Sequence, residues 1–151
     1  MSGYWRISGL AGLACIFATL AGCGGGYTPP QGVVVRGTIL KGGKPLQVPR
    51  QDVGLGSVAV KLVPIGQASG RREIESTLAD KNGAFELRGA GAGIPPGKYR
   101  LAVAQQDQGY GSDLLQGAFS EANSPIEVDI PPDRLGRTHD LGTIDLDQAK
   151  K

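Results

Sequence analysis

Few residues in this chain are suited to act as nucleophile, general base or metal ligand, since its 151 residues include two cysteines and one histidine. A serine or cysteine hydrolase needs a base beside its nucleophile, and only His139, next to Asp140, is available for that role. The stretch Gly109-Tyr-Gly-Ser-Asp113 has only a superficial likeness to the Gly-x-Ser-x-Gly nucleophile elbow. One histidine and no free thiol in the processed chain fall short of an ordinary zinc set. Asp80-Lys-Asn82-Gly83 begins like a calcium loop, but Ala84 stands where the fifth position needs an oxygen ligand. Gly91-Ala-Gly-Ile-Pro-Pro-Gly-Lys98 departs from a phosphate loop at Ala92 and at Tyr99, and its prolines remove the helix N-terminus that would hold the anion. These patterns predict turns. No catalytic residue, no metal and no cofactor is expected, and His139 is expected as a solvent-facing loop residue.

The cysteines are more informative. Residues 1–6 carry one side-chain cation, Arg6, and an uncharged, largely apolar run from Ile7 to Leu20 follows. A membrane-spanning helix needs about 20 apolar residues, so this shorter run fits the apolar region of an export signal. It ends in Leu20-Ala21-Gly22-Cys23, which resembles the bacterial lipobox. The resemblance implies cleavage before Cys23, with Ala21 and Gly22 small enough for the peptidase cleft. It also implies diacylglycerol on the Cys23 thiol, hence a membrane as partner through that lipid. Gly24, where inner-membrane retention favours aspartate, points to the outer membrane, on its periplasmic or surface face, ahead of the inner one. Removing residues 1–22 from the 151 leaves 129, enough for one domain. Cys15 leaves with the signal, so no disulfide is expected. Loss of Arg6 takes the net charge from +2 to about +1, which gives no reason to expect a nucleic-acid partner.

The elements that must position everything else are short strands. Residues 24–31 lack apolar periodicity; with Pro29-Pro30 they read as a tether that holds the domain some 20–25 Å from the bilayer, at about 3 Å per residue. From Val33 onward apolar residues recur with period two between turn signals. Inward faces are expected at Val33, Val35 and Ile39; at Val58, Val60 and Leu62; at Ile74 and Leu78; at Phe85 and Leu87; at Tyr99, Leu101 and Val103; at Ile126, Val128 and Ile130; and at Leu141, Ile144 and Leu146. That makes seven strands. Asp80-Lys-Asn82-Gly83 is a tight-turn signal, because Asn and Gly tolerate positive φ. One stretch breaks the period: Leu114, Leu115, Ala118 and Phe119 are spaced like a helical face, with Ser112 or Asp113 as cap. A short helix or an ordered loop is expected there. The 25 glycines argue against long helices, at about 1 kcal/mol each in a helix interior.

Val35-Arg-Gly-Thr-Ile39, Gly43-Lys-Pro-Leu46, Val58-Ala-Val60, Ala79-Asp-Lys-Asn-Gly-Ala-Phe85 and Pro96-Gly-Lys-Tyr99 occur in that order. Together they resemble the carboxypeptidase regulatory-like domain of the transthyretin-like (prealbumin) fold. Gly43 and Ala79 depart from the usual Asp-Gly and Thr of that pattern. The resemblance implies an all-β, seven-stranded sandwich over residues 33–147, after a signal at 1–22 and a lipidated tether at 23–32, with a tail at 148–151. It implies fold residues: Gly37 giving room mid-strand, Asp80 holding its own turn, Gly83 at positive φ, and Phe85 and Tyr99 in the core. Such domains accompany peptidases, receptors and adhesins without catalysing anything. The expectation is a monomeric, non-catalytic module of the cell envelope that meets an unidentified envelope protein. The alternative is a glycan or small-ligand binding module. Tyr110, between Gly109 and Gly111 in the long stretch 105–125, is the expected partner contact.

Overall fold

The computed structural model describes residues 32–48, 51–66, 75–89, 92–107 and 112–149. The period-two runs form strands β1 (Val34–Lys41), β2 (Lys44–Pro45), β3 (Ser57–Pro64), β4 (Glu75–Leu78), β5 (Ala84–Leu87), β6 (Gly97–Gln106), β7 (Glu127–Ile130) and β8 (Thr138–Asp145). One helical turn, α1 (Leu146–Ala149), follows. The strand beyond the expected seven is the two-residue β2. It exists because Gly42 and Gly43 both adopt positive φ, 60° and 74°, which folds the chain straight back onto β1.

Two four-stranded sheets face each other. In the first, β1 is central; it pairs antiparallel with β2 and β5 on one side and parallel with β8 on the other. The second runs β4-β3-β6-β7, all antiparallel. The inner faces are apolar: Val33, Val35, Ile39, Val58, Val60, Leu62, Phe85, Leu87, Leu101, Val103, Val128 and Ile130 are buried between the sheets. Tyr99 is buried with them and donates its hydroxyl to Pro95 O at 2.7 Å, so its one polar atom is satisfied. A Cβ on Gly37 would lie 3.0 Å from the Phe85 ring, so the missing side chain is what lets that ring cross β1. Asp80 Oδ1 accepts the N–H groups of Asn82 and Ala84, both at 2.8 Å, and holds the corner into β5.

The sandwich departs from the sequence reading at Leu78 and at Leu146, and decides between two readings at 113–119. Leu78 is 63% exposed: β4 is an edge strand whose register puts Thr77 opposite buried Val60, so Leu78 opposite Ala59 faces outward. Ile74, expected on its face, lies outside the described residues. Of the two forms expected for 113–119, a short helix or an ordered loop, the structure has the loop, a succession of turns, because Gln116 and Gly117 adopt φ of 54° and 72°, which no right-handed helix accommodates. The helix falls instead at Leu146–Ala149, where the last strand was expected to end. There Asp145 Oδ1 accepts the Asp147 N–H and stops the strand by capping a turn of helix, which buries Leu146.

The connection from β6 to β7 has a structural role. β7 covers β6 only from Gly97 to Arg100, leaving the edge beyond unpaired by any strand on that side. The connection supplies the acceptors: Leu101 N–H donates to Ile126 O at 2.9 Å, Val103 N–H to Phe119 O at 2.8 Å, and Gln105 N–H to Asp113 Oδ1 at 2.8 Å. Leu115 and Phe119 are buried against the core by the same arrangement.

Candidate functional site

Leu20, Ala21, Gly22, Cys23 and Tyr110 lie outside the described residues. What is described is where the segments bearing them leave the domain. Gly32 donates its N–H to Ala92 O and accepts the Gly136 N–H on its carbonyl, both at 3.1 Å. A Cβ there would fall 2.1 Å from the Gly93 backbone, so the chain enters the sandwich through a glycine-on-glycine crossing. Gln106 and Asp113, the described residues on either side of Tyr110 in sequence that pair with each other, form a bridge at the other end of β6.

The two ends of the sandwich thus differ. Gly32, Gly93, Leu135 and Gly136 gather where β1 begins. At the far end β1 turns into β2, β4 turns into β5, and the 46–57 segment leads into β3. Three glutamines stitch these loops together. Gln47 Nε2 donates to Lys81 O, Gln51 Nε2 to Ala79 O at 2.8 Å, and Gln105 Nε2 to Gln47 O at 2.7 Å. Asp145 adds the β1–β2 turn, accepting the N–H groups of Gly42 and Gly43 at 3.2 and 2.7 Å.

Three concavities accompany this framework, one of them an open hollow of about 720 Å³ lined by Arg36, Thr38, Thr77, Leu78, Glu86 and Arg88. On the outer face of the second sheet, the connection overhangs the small side chains Ala59, Ala102 and Ala104, forming a mostly apolar groove of about 460 Å³. Lys61 and Glu121 bridge its rim at 2.7 Å. At the far end, a crevice of about 510 Å³ lies between Gln51–Ser57 and Leu78–Lys81. Val53 and Leu55 alternate with its lining residues and are 64% and 48% exposed. Neither Leu78 nor these two were singled out from the sequence as site residues. A usable signal was present, however: Val53 and Leu55 are large apolar residues on either side of Gly54, in the glycine-broken run Val53-Gly-Leu-Gly56.

His139 occupies a strand position, not a loop. It sits half-buried in β8 opposite Val35, and no hydrogen bond to its ring is found among the described residues. Its neighbour Asp140 is otherwise engaged. One carboxylate oxygen accepts Arg36 Nε at 2.9 Å and the other the Gly142 N–H at 2.8 Å. The Gly142 bond is the larger reason that the Asp140 carboxyl lies below its ordinary 3.8, the Arg36 bond the next. The same contacts pin the bulge by which β8 shifts register against β1 between Arg36 and Thr38. Among the described residues no three His, Cys, Asp or Glu side chains approach closely enough to hold a metal ion. No helix among them is long and apolar enough to cross a membrane.

The fold and these surfaces define an all-β sandwich domain with loops knitted at one end. No family model and no curated protein matches the chain. Solved structures similar to it include the major pilin subunit of Bacillus cereus, at 16% identity and a TM-score of 0.43 over 77% of this chain and 30% of that one. They also include a 9R-lipoxygenase from Cyanothece, at 15% identity and a TM-score of 0.35 over 77% of this chain and 16% of that one. The chain thus spans under a third of the pilin and about a sixth of the lipoxygenase.

Proposed function

We propose that this protein is a non-catalytic module of the bacterial cell envelope, tethered by lipid on Cys23, whose sandwich resembles the carboxypeptidase regulatory-like domain and serves in structural or protein-interaction work. The observation that carries the reading is Leu20-Ala21-Gly22-Cys23 at the end of an apolar run, upstream of a sandwich that the chain joins at one end through Gly32. The sandwich supports it through the residues that carry the resemblance: Gly37 beneath Phe85, Asp80 closing its turn, Gly83 at φ 77°, and Tyr99 in the core. The glycan-binding alternative has less support, because Phe85, Tyr99 and Phe119 are all buried and a sugar platform would have to be built on Tyr27 or Tyr110.

Mass spectrometry of the protein isolated from bacterial membranes tests the anchor. The expected N-terminus is Cys23 carrying two or three acyl chains, enough for stable anchoring at about 0.8 kcal/mol per buried CH₂. An N-terminus at Met1, or an unmodified one downstream of the signal, overturns it.

A further inference from the structure

We propose that the parallel pair β1–β8 is a mechanical clamp, and that the domain serves as a link carrying tension between its tether and the far end of the sandwich. The two strands run in the same direction. Val34 and Thr138 therefore lie together at the Gly32 end, and Leu40 and Asp145 together at the far end. Tension that enters at Gly32 and leaves through α1 pulls the strands past each other along their length. The hydrogen bonds of a parallel ladder are evenly spaced, so sliding loads all of them together. Pulling the same strands apart sideways breaks them one after another.

The tether joins where such a load is best held. It runs into β1, which has strands on both flanks, and not into an edge. On one flank the Gly32 N–H donates to Ala92 O at 3.1 Å, and Val33 and Ile94 exchange two bonds of 2.8 Å. On the other, Gly32 O accepts the Gly136 N–H and the Val34 N–H donates to Arg137 O, both at 3.1 Å. The Gly93 backbone lies against Gly32 too closely for a Cβ on either residue. A segment gripped on two sides does not peel from one.

The register of the clamp is locked. Six residue pairs join β1 to β8, three on each side of the shift between Arg36 and Thr38. Gly142, at φ 66°, sits in that shift with its N–H held by Asp140. A slip of one residue would displace this bulge and turn Ile144, packed against the core, to the opposite face. The exit is fastened as well: Asp145 accepts the N–H groups of Gly42 and Gly43, and Leu146 is fully buried. The Arg36–Asp140 pair spans the two strands at 2.9 Å, but both side chains are exposed and it adds little to equilibrium stability. Every residue on this path is among the described ones, whereas β4 and β7, at the edges of the other sheet, lie off it. That the tension comes from a lipid anchor rests on the anchored reading; the dependence on direction does not.

Single-molecule force spectroscopy of the full chain, without lipid, compares two pulling directions. With Cys15→Ser, Cys23 is the one thiol left and carries the first handle. The second handle is placed at Gln148→Cys for sliding, or at Leu135→Cys, next to Gly136, for peeling. Both positions are exposed, so both variants should match the parent in urea unfolding. Arg134→Cys and Asp147→Cys, also exposed, replace either one that does not. The expected result is a several-fold higher unfolding force in the sliding direction, in one step that releases the chain from residue 32 onward. Forced unfolding reads the barrier and not the equilibrium, so equal stability in urea leaves direction as the cause. Equal forces, or a lower force on sliding, overturn the proposal. So does an early separate step in which β8 comes away while the rest of the domain holds. The chain measured has no lipid, so failure to find acylated Cys23 by mass spectrometry removes the anchored reading and leaves this result standing.

Discussion

Asp80 and Asp113 do the same local work in two regions that the rest of the molecule treats differently. Asp80 accepts the N–H groups of Asn82 and Ala84 in the corner between β4 and β5. Asp113 accepts those of Gln105, Leu115 and Gly117 at the start of the irregular connection. Each region has a glycine at positive φ, Gly83 at 77° and Gly117 at 72°, and each delivers a buried phenylalanine, Phe85 or Phe119. The difference is what lies behind the glycine. A Cβ on Gly83 would fall 2.3 Å from the carbonyl oxygen of Ile39, whereas a Cβ on Gly117 meets nothing within 4 Å. The corner is wedged between sheets; the connection is draped along one edge of β6. Identical turn chemistry is therefore needed twice over in one region and once in the other.

The most disruptive way to break this comparison is to remove its two anchors. Phe85→Ala and Phe119→Ala should each lower stability by about 3–5 kcal/mol in urea unfolding, since both rings are enclosed by the core. If Phe119→Ala costs under about 1 kcal/mol, the connection is a surface appendage and its likeness to the corner is superficial. The glycines sharpen the contrast. Gly117→Ala should cost about 1–2 kcal/mol, the penalty of a left-handed conformation alone. Gly83→Ala should cost clearly more, because Ile39 or the corner must also move; equal melting temperatures for the two variants would refute the wedge.

The aspartates come next. Asp80→Ala and Asp113→Ala should each cost about 0.5–2 kcal/mol, by analogy with lost helix caps, with Asp113 the larger because three N–H groups lose their acceptor instead of two. Hydrogen exchange should then rise at Gln105, Leu115 and Gly117 in the Asp113 variant and leave the corner unchanged.

The smallest effect concerns acid. Asp145 lies below its ordinary 3.8 chiefly because of the Asp147 N–H and then the Gly43 N–H, as Asp140 does because of Gly142 and Arg36. A carboxyl whose folded value is depressed stabilises the fold above its unfolded value, and that contribution is lost as pH falls through the folded value. The melting temperature should therefore be flat on this account from about pH 7 to about pH 5 and decline below about pH 4. Asp145→Asn should reduce that decline. Both carboxylates are exposed, so a steep acid transition above pH 5 would have another origin.

The strand framework is legible in the residue order because its signals are local. Val33, Val35 and Ile39, or Val58, Val60 and Leu62, alternate with residues that tolerate water, and a half-buried strand has the same period. Asp80, Asn82 and Gly83 specify their corner by bonds within five residues of chain. Gly37 is readable as a place for a ring because an interior glycine weakens a strand unless something fills the gap. The sequence by itself also holds the Leu20–Cys23 motif, whose proposed role would depend on processing enzymes and not on the fold. What it did not determine was anything set by neighbours distant along the chain. Leu78 alternates as if it faced inward, yet β4 lies at a sheet edge and its register on β3 turns Leu78 out. The apolar spacing of Leu115 and Phe119 suits a helix, but the N–H groups left bare on β6 beyond β7 draw carbonyls and a carboxylate from that stretch, and a helix would have kept its carbonyls for itself. Leu146 reads as the end of a strand until Asp145 is brought against Gly42, Gly43 and Asp147. Local hydrogen bonding and side-chain period are written into neighbouring residues; edges, registers and the far side of a glycine exist only once the two sheets have met.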